Sequence, residues 1–161
     1  MSYPPWLPEF LRPCVVKECR EDSCRLLVKG PINSFFIIRI DGCLNEREQD
    51  LMSKKACDCA VICKNLICLV EIKCGKIRAG DPERDIAPQL DEIEGFLRRR
   101  GLADREFQRI AVIRSYPRML RRMIQRRLLQ KRIRAHVLTP SASSLRIRTG
   151  SSTLILEFIV G

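Results

Sequence analysis

The chain has 161 residues, 45% apolar and 30% charged, long enough for one compact domain with a hydrophobic core and short for two. No run approaches the roughly 18 uninterrupted apolar residues of a membrane-spanning helix. Met1-Ser2-Tyr3-Pro4-Pro5-Trp6 also lacks the basic start and apolar core of a secretory signal, so the expectation is a cytoplasmic protein with no membrane partner.

Residues 1–13 hold four prolines beside Tyr3, Trp6 and Phe10 and read as an extended arm laid over the domain. Residues 14–29 read as a short helix or an irregular cysteine-bearing segment, closed by Gly30-Pro31. Residues 34–41, rich in β-branched and aromatic side chains, predict a first strand that ends at Gly42. After a polar stretch over 45–55, two apolar runs, 56–63 and 66–74, joined by Lys64-Asn65, predict a β-hairpin.

A loop marked by Gly75, Gly80, Asp81 and Pro82 follows, and Ile86, Leu90, Ile93 and Leu97 at helical spacing predict a helix over 85–99, stopped by Gly101. Residues 107–114 predict another strand. Pro117 suits the first turn of a helix reaching about residue 134. Leu120, Ile124 and Leu128 form its apolar stripe, and Arg118, Arg121, Arg122, Arg126 and Arg127 cover the remainder. Residues 135–138, 145–148 and 153–160 predict short tail strands.

Strands followed by helix and strand indicate an α/β fold, a mixed sheet with helices on its faces. One domain is expected over 1–161: an arm and cysteine segment to residue 30, a core over 35–114, then the basic helix and C-terminal strands over 115–161.

The formal charge of +11 is regional. Residues 98–134 carry fourteen Lys or Arg against Asp104 and Glu106, whereas the rest of the chain is nearly neutral. A solvated Arg-rich face is the ordinary reading of a charge run, but so one-sided an excess favours contact with nucleic-acid phosphates.

The nine cysteines all lie within the first 74 residues, and their odd number leaves at least one unpaired within the chain. They fit buried thiols, intracellular disulfides of the kind found in hyperthermophiles, or a metal site. Cys14, Cys19 and Cys24 stand five apart and lack the tight Cys pairs of zinc ribbons. Cys57, Cys59 and Cys63 share strand parity and are expected to pack as small apolar groups.

If Lys64-Asn65 is a two-residue turn, Asp58 stands opposite Glu71, and Lys73 projects from the same face. Two carboxylates side by side repel unless a cation sits between them, and hard oxygen ligands suit Mg²⁺ or Mn²⁺. A lysine beside such a site can position water and stabilise charge on phosphate oxygens. A surface ion pair would alternate polar with apolar residues, whereas residues 66–70 are continuously apolar, like a central strand.

The segments 56–63 and 69–75, with Ala87-Pro88-Gln89-Leu90 on the following helix, resemble the core of the PD-(D/E)xK nuclease superfamily over about residues 35–114. The resemblance implies a restriction-endonuclease-like fold, a mixed β-sheet flanked by helices. It implies that Asp58 and Glu71 bind metal, that the main-chain carbonyl of Ile72 adds a ligand, and that Lys73 is catalytic. Gln89 occupies the place of a helix Gln that some members carry, and Glu18 or Glu21 stands where many carry an acidic residue. Cys57 replaces the proline that names the motif.

The implied activity is metal-dependent phosphodiester hydrolysis, with DNA favoured over RNA; the regional charge adds the expectation that the Arg118–Arg134 helix helps grip the phosphate backbone. A homodimer joined through the tail strands would suit double-strand cutting. The alternatives are an inactive nucleic-acid-binding protein of the same fold and a cysteine-based metal or redox module. His136, the one histidine, has no catalytic partner placed by any motif and reads as structural. Asp41 reads as a turn residue whose carboxylate could approach Asp58.

Overall fold

The computed structural model describes residues 2–21, 23–30, 32, 34–52, 54, 56–76, 82–115, 118–138, 142–150 and 152–160. In chain order it runs β1 (Val15–Val16), β2 (Cys19–Glu21), β3 (Cys24–Lys29), β4 (Phe36–Arg39), the one-turn α1 (Asn45–Arg47), β5 (Cys59–Ile62) and β6 (Leu66–Lys76). There follow α2 (Pro82–Leu97), β7 (Glu106–Ser115), α3 (Arg118–Gln130), β8 (Ile133–Val137), β9 (Ala142–Thr149) and β10 (Ser152–Val160). Pro31, Gly80, Asp81, Pro117 and Pro140 lie outside the described residues.

The class is α/β, built on a six-stranded sheet in the order β1-β4-β5-β6-β7-β8 and a four-stranded sheet in the order β2-β3-β10-β9. The hairpin has its two-residue turn: the Cys63 N–H donates to the Leu66 carbonyl at 2.8 Å, and Cys59 pairs with Val70. Within the first sheet β6, β7 and β8 are parallel, so α2 and α3 are crossover connections. Both crossovers step the same way along the sheet, and connections of one hand then put both helices on one face. Ile86, Leu90, Ile93 and Phe96 of α2 and Ile124 and Leu128 of α3 pack there against Ile67, Leu69, Ala111 and Ile113.

Helices on both faces were expected; the other face is covered by the second sheet. Leu26, Leu145, Ile147, Leu154, Leu156 and Phe158 pack there against Val61, Cys68, Val70, Ile72 and Val112. This is why Leu66 through Val70 are all apolar and fully buried: β6 lies inside one sheet with a layer on each side. Of the tail strands, β8 joins the first sheet, and β10 is enclosed between β3 and β9, leaving β9 as an edge.

Three expectations about the front of the chain need correction. Residues 14–29 form β1, β2 and β3 rather than a helix or irregular segment. β3 pairs with the short β2 on one side and on the other with β10, some 130 residues away, so most of its ladder is supplied by a distant strand. The arm is not wholly extended: Glu9–Cys14 makes a 3-10 turn with Leu7 and Leu11 buried. The first strand is shorter than 34–41, because the chain turns at Gly42, whose φ of 89° is the left-handed conformation that glycine tolerates.

Disulfides join Cys14 to Cys43 and Cys19 to Cys59, and Cys24 is disulfide-bonded as well. Cys57, Cys63 and Cys68 are buried free thiols. Cys59 therefore departs from the packing expected of it. Cys14, Cys19 and Cys24 are oxidised, so they offer no thiolates for zinc. Such bonds are common in oxidising compartments and inside hyperthermophiles and rare in other cytosolic proteins. No helix among the described residues is long and apolar enough to cross a membrane.

Replacing Cys14 and Cys43 together by Ser opens a loop with a sequence separation of 29. By chain entropy this should cost about 3–4 kcal/mol. Urea unfolding of wild type and variant, each under non-reducing conditions, checks it.

Candidate active site

Asp58 stands one residue before β5, where its main chain still pairs with β4: the Ile40 N–H donates to the Asp58 carbonyl at 3.0 Å. Glu71 and Lys73 continue the row of Ile67 and Leu69 on the helix-facing side, and Asp58, which precedes the strand, meets Glu71 from the adjoining chain. Here β5 has not yet begun its ladder with β6, and the Asp58 carboxylate takes the place of a strand partner. Its Oδ2 accepts the Ile72 N–H at 2.6 Å. Because N–H and C=O of one strand residue point to the same side, the Ile72 carbonyl is directed into that gap too.

Asp58 and Glu71 are the buried charged residues of the described chain, 4% and 3% exposed. Oε2 of Glu71 is buried without a hydrogen-bond partner. Lys73, about a third exposed, brings its Nζ to 3.8 Å from Glu71 Oε1. Burial pushes the Glu71 carboxyl far above the usual carboxylate range; the Asp58 charge pushes it further, and Lys73 opposes them. Burial raises Asp58 as well, against the Ile72 N–H, which holds it down. The Cys57 thiol is raised by burial first and then by both carboxylates.

A third acid reaches the pair. Glu21 lies within hydrogen-bonding range of Asp58, and its charge also bears on Glu71. Cys19 and Glu21 share a face of β2, and Cys19 is bonded to Cys59, the neighbour of Asp58. Arg39 approaches Glu21 at 3.5 Å and donates to the Arg20 carbonyl, clamping β2 from the other side. Glu18 goes elsewhere, to Arg20 and Arg25. Glu18 and Glu21 were indistinguishable in sequence; what separates them is strand alternation, which puts Glu21, and not the sequence neighbour Glu18, on the face of Cys19, whose partner Cys59 stands next to Asp58.

Other candidates fall outside this group. Gln89 is half-buried on α2 and makes no hydrogen bond to Asp58, Glu71 or Lys73. The Asp41 carboxylate accepts from Asn45 at 3.2 Å, as in a turn. His136 lies on the second-sheet side, with its Nε2 2.9 Å from Ser143 Oγ and its ring against Phe158. On α3, Arg121, Arg122 and Arg126 are exposed and Arg127 is half-buried; the side chain of Arg118 lies outside the description.

No known protein family, curated protein or solved structure matches this chain. Among the described residues no three His, Cys, Asp or Glu side chains converge as a ready-made cation cage. What is present is a buried pair with one unsatisfied oxygen, a carbonyl aimed between them and an acid at the rim. That donor set suits a hard divalent cation that takes one or two carboxylates and keeps waters, as Mg²⁺ does.

Without metal the pair should make stability fall with rising pH. A carboxyl whose folded pKa is raised keeps its proton in the native state after the unfolded chain has lost it. Its contribution is complete below the ordinary carboxylate range and is lost on the way toward about pH 10. Glu71→Gln should flatten that decline, and chemical unfolding in EDTA at pH 5, 7 and 9 checks it.

Proposed function

We propose that this chain is a metal-dependent nuclease with a restriction-endonuclease-like fold, hydrolysing phosphodiester bonds in nucleic acid, with DNA favoured. The observation that carries the reading is the buried Asp58–Glu71 pair, with its unpartnered Glu71 oxygen and Lys73 3.8 Å away, midway along a strand enclosed on both faces over Leu66–Val70. An isolated buried charge is strongly disfavoured, and two like charges more so, unless a cation compensates them. Strand, hairpin, crossover helix and parallel strand in succession also support the family resemblance of residues 35–114.

Asp58, Glu71 and the Ile72 carbonyl would hold Mg²⁺ or Mn²⁺, which supplies a Lewis acid and lowers the pKa of bound water. The Ile72 N–H fixes the orientation of Asp58, leaving its second oxygen for the ligand. Lys73, held near Glu71 and reaching solvent, is placed to orient the attacking water and to stabilise charge growing on phosphate oxygens. Arg121, Arg122, Arg126 and Arg127, with Arg118 at the helix start, would hold the phosphate backbone.

Wild type should cleave at least one of duplex, single-stranded or branched DNA or RNA in Mg²⁺ or Mn²⁺. Asp58→Ala, Glu71→Ala and Lys73→Ala should each lose on the order of 100-fold or more in rate while still binding. A gel-based cleavage assay with all four proteins checks it. Absence of cutting by wild type in every condition, or equal cutting by the variants, overturns the reading. Binding without cutting would point to an inactive protein of the same fold.

A further inference from the structure

From residue 107 to residue 156 the chain contains no Asp or Glu and twelve basic residues, eleven of them Arg. The tertiary fold brings α3, β8 and β9 of this acid-free stretch to one end of the layered structure. On the helix layer, α3 packs beside β8. In the middle, β8 is the edge of the first sheet. On the far layer, β9 is the edge of the second sheet and is tied to β8, because Arg134 Nη1 donates to the Arg146 carbonyl and His136 meets Ser143. Arg134, Arg146 and Arg148 are exposed and make no ion pair in the described structure.

Several arginines ahead of α3 are used differently. Arg100 and Arg98 lie over the rings of Phe10 and Phe107, Arg105 donates to the Trp6 and Cys63 carbonyls, and Arg109 pairs with Asp91 and Glu94. These contacts tie the N-terminal segment and α2 to the first sheet, whereas Arg121, Arg122 and Arg126 of α3, Arg134 of β8 and Arg146 and Arg148 of β9 are exposed.

We infer that the β8–β9 edge, through Arg134, Arg146 and Arg148, is a second phosphate-binding surface continuous with α3, and that its partner is duplex nucleic acid. This deepens the proposed function and rests on that reading. Side-chain alternation puts Arg146 and Arg148 on one face about 7 Å apart. Packed layers lie about 10 Å apart, so from α3 to β9 the basic edge is roughly 20 Å high. That exceeds the roughly 12 Å width of a major groove, enough to meet phosphates of both strands.

A single strand would be expected to use aromatic platforms for its bases. Residues 118–152 contain no Phe, Tyr or Trp. The edge runs along the sheet from the candidate site: Val137 of β8 pairs with Ile113, which pairs with Lys73, so that end of β8 lies two strands, about 10 Å, from Lys73. Arg134 lies further down β8, and Thr149, next to Arg148, meets Glu106 at the other end of β7. The surface offers guanidiniums, whose planar fork matches phosphate oxygens.

The test is fluorescence anisotropy in EDTA, with a labelled duplex and a single strand of equal length, titrated over salt. It compares wild type, Arg134→Ala/Arg146→Ala/Arg148→Ala and the corresponding triple Lys variant, after circular dichroism shows all three folded. Wild type should prefer the duplex. The Ala variant should lose roughly tenfold or more in affinity, and its salt slope should fall by about 2–3, near one for each lost phosphate contact. The Lys variant should keep most of the slope.

An Ala variant with wild-type affinity and slope overturns this surface while leaving α3 and the nuclease reading standing. Equal or tighter binding of the single strand overturns the duplex assignment. Failure of wild type to bind any nucleic acid overturns both, and a preference for anionic lipid vesicles over duplex would reassign the charge to a membrane surface.

Discussion

The two-residue turn at Lys64-Asn65 is the constraint from which the site follows. A tight hairpin permits one register between β5 and β6, and a strand buried on both faces tolerates no slip, since moving by one residue would exchange its two layers. The same register brings Asp58 level with Glu71. Two carboxylates thus meet at the point where the ladder opens, and the main chain of Ile72, with no strand partner there, turns to Asp58 instead. Registry of the core and convergence of the acids are one geometric fact.

Burial gives that convergence its chemistry. In water two carboxylates separate or are screened; between packed helices and sheet they lose solvent, and their charges act on one another in a medium of lower dielectric. The result is a pair that holds its proton unusually well, beside one lysine that offsets only part of the charge. Glu21 adds to the imbalance from the second sheet, through a disulfide and an arginine that fasten β2 across the layers. The site therefore lies where the two sheets are joined, and its acids come from both.

The basic charge divides into two populations with different physics. Arg98, Arg100, Arg105 and Arg109 rest on aromatic rings or bind carbonyls and acids, and they anchor the N-terminal segment and α2. Arg121, Arg122, Arg126, Arg134, Arg146 and Arg148 face solvent. A count along the sequence merges the two, because whether a guanidinium is compensated depends on what the fold places against it.

Periodicity alone determined the hairpin, the crossover helix, the basic helix and the parity that puts Glu71 and Lys73 on one side, because alternation in strands and the helical repeat are local properties. It failed for β1, β2 and β3: they span two, three and six residues, too short for a pattern to stand out, and β3 pairs with β10 from the opposite end of the chain. Only the tertiary structure decided that a second sheet covers the face without helices and that Cys59 is bonded to Cys19. Only it selected Glu21 over Glu18 and set β8 and β9 of the acid-free stretch side by side as edges. Each of these depends on contacts between residues far apart in sequence, which no window along the chain contains.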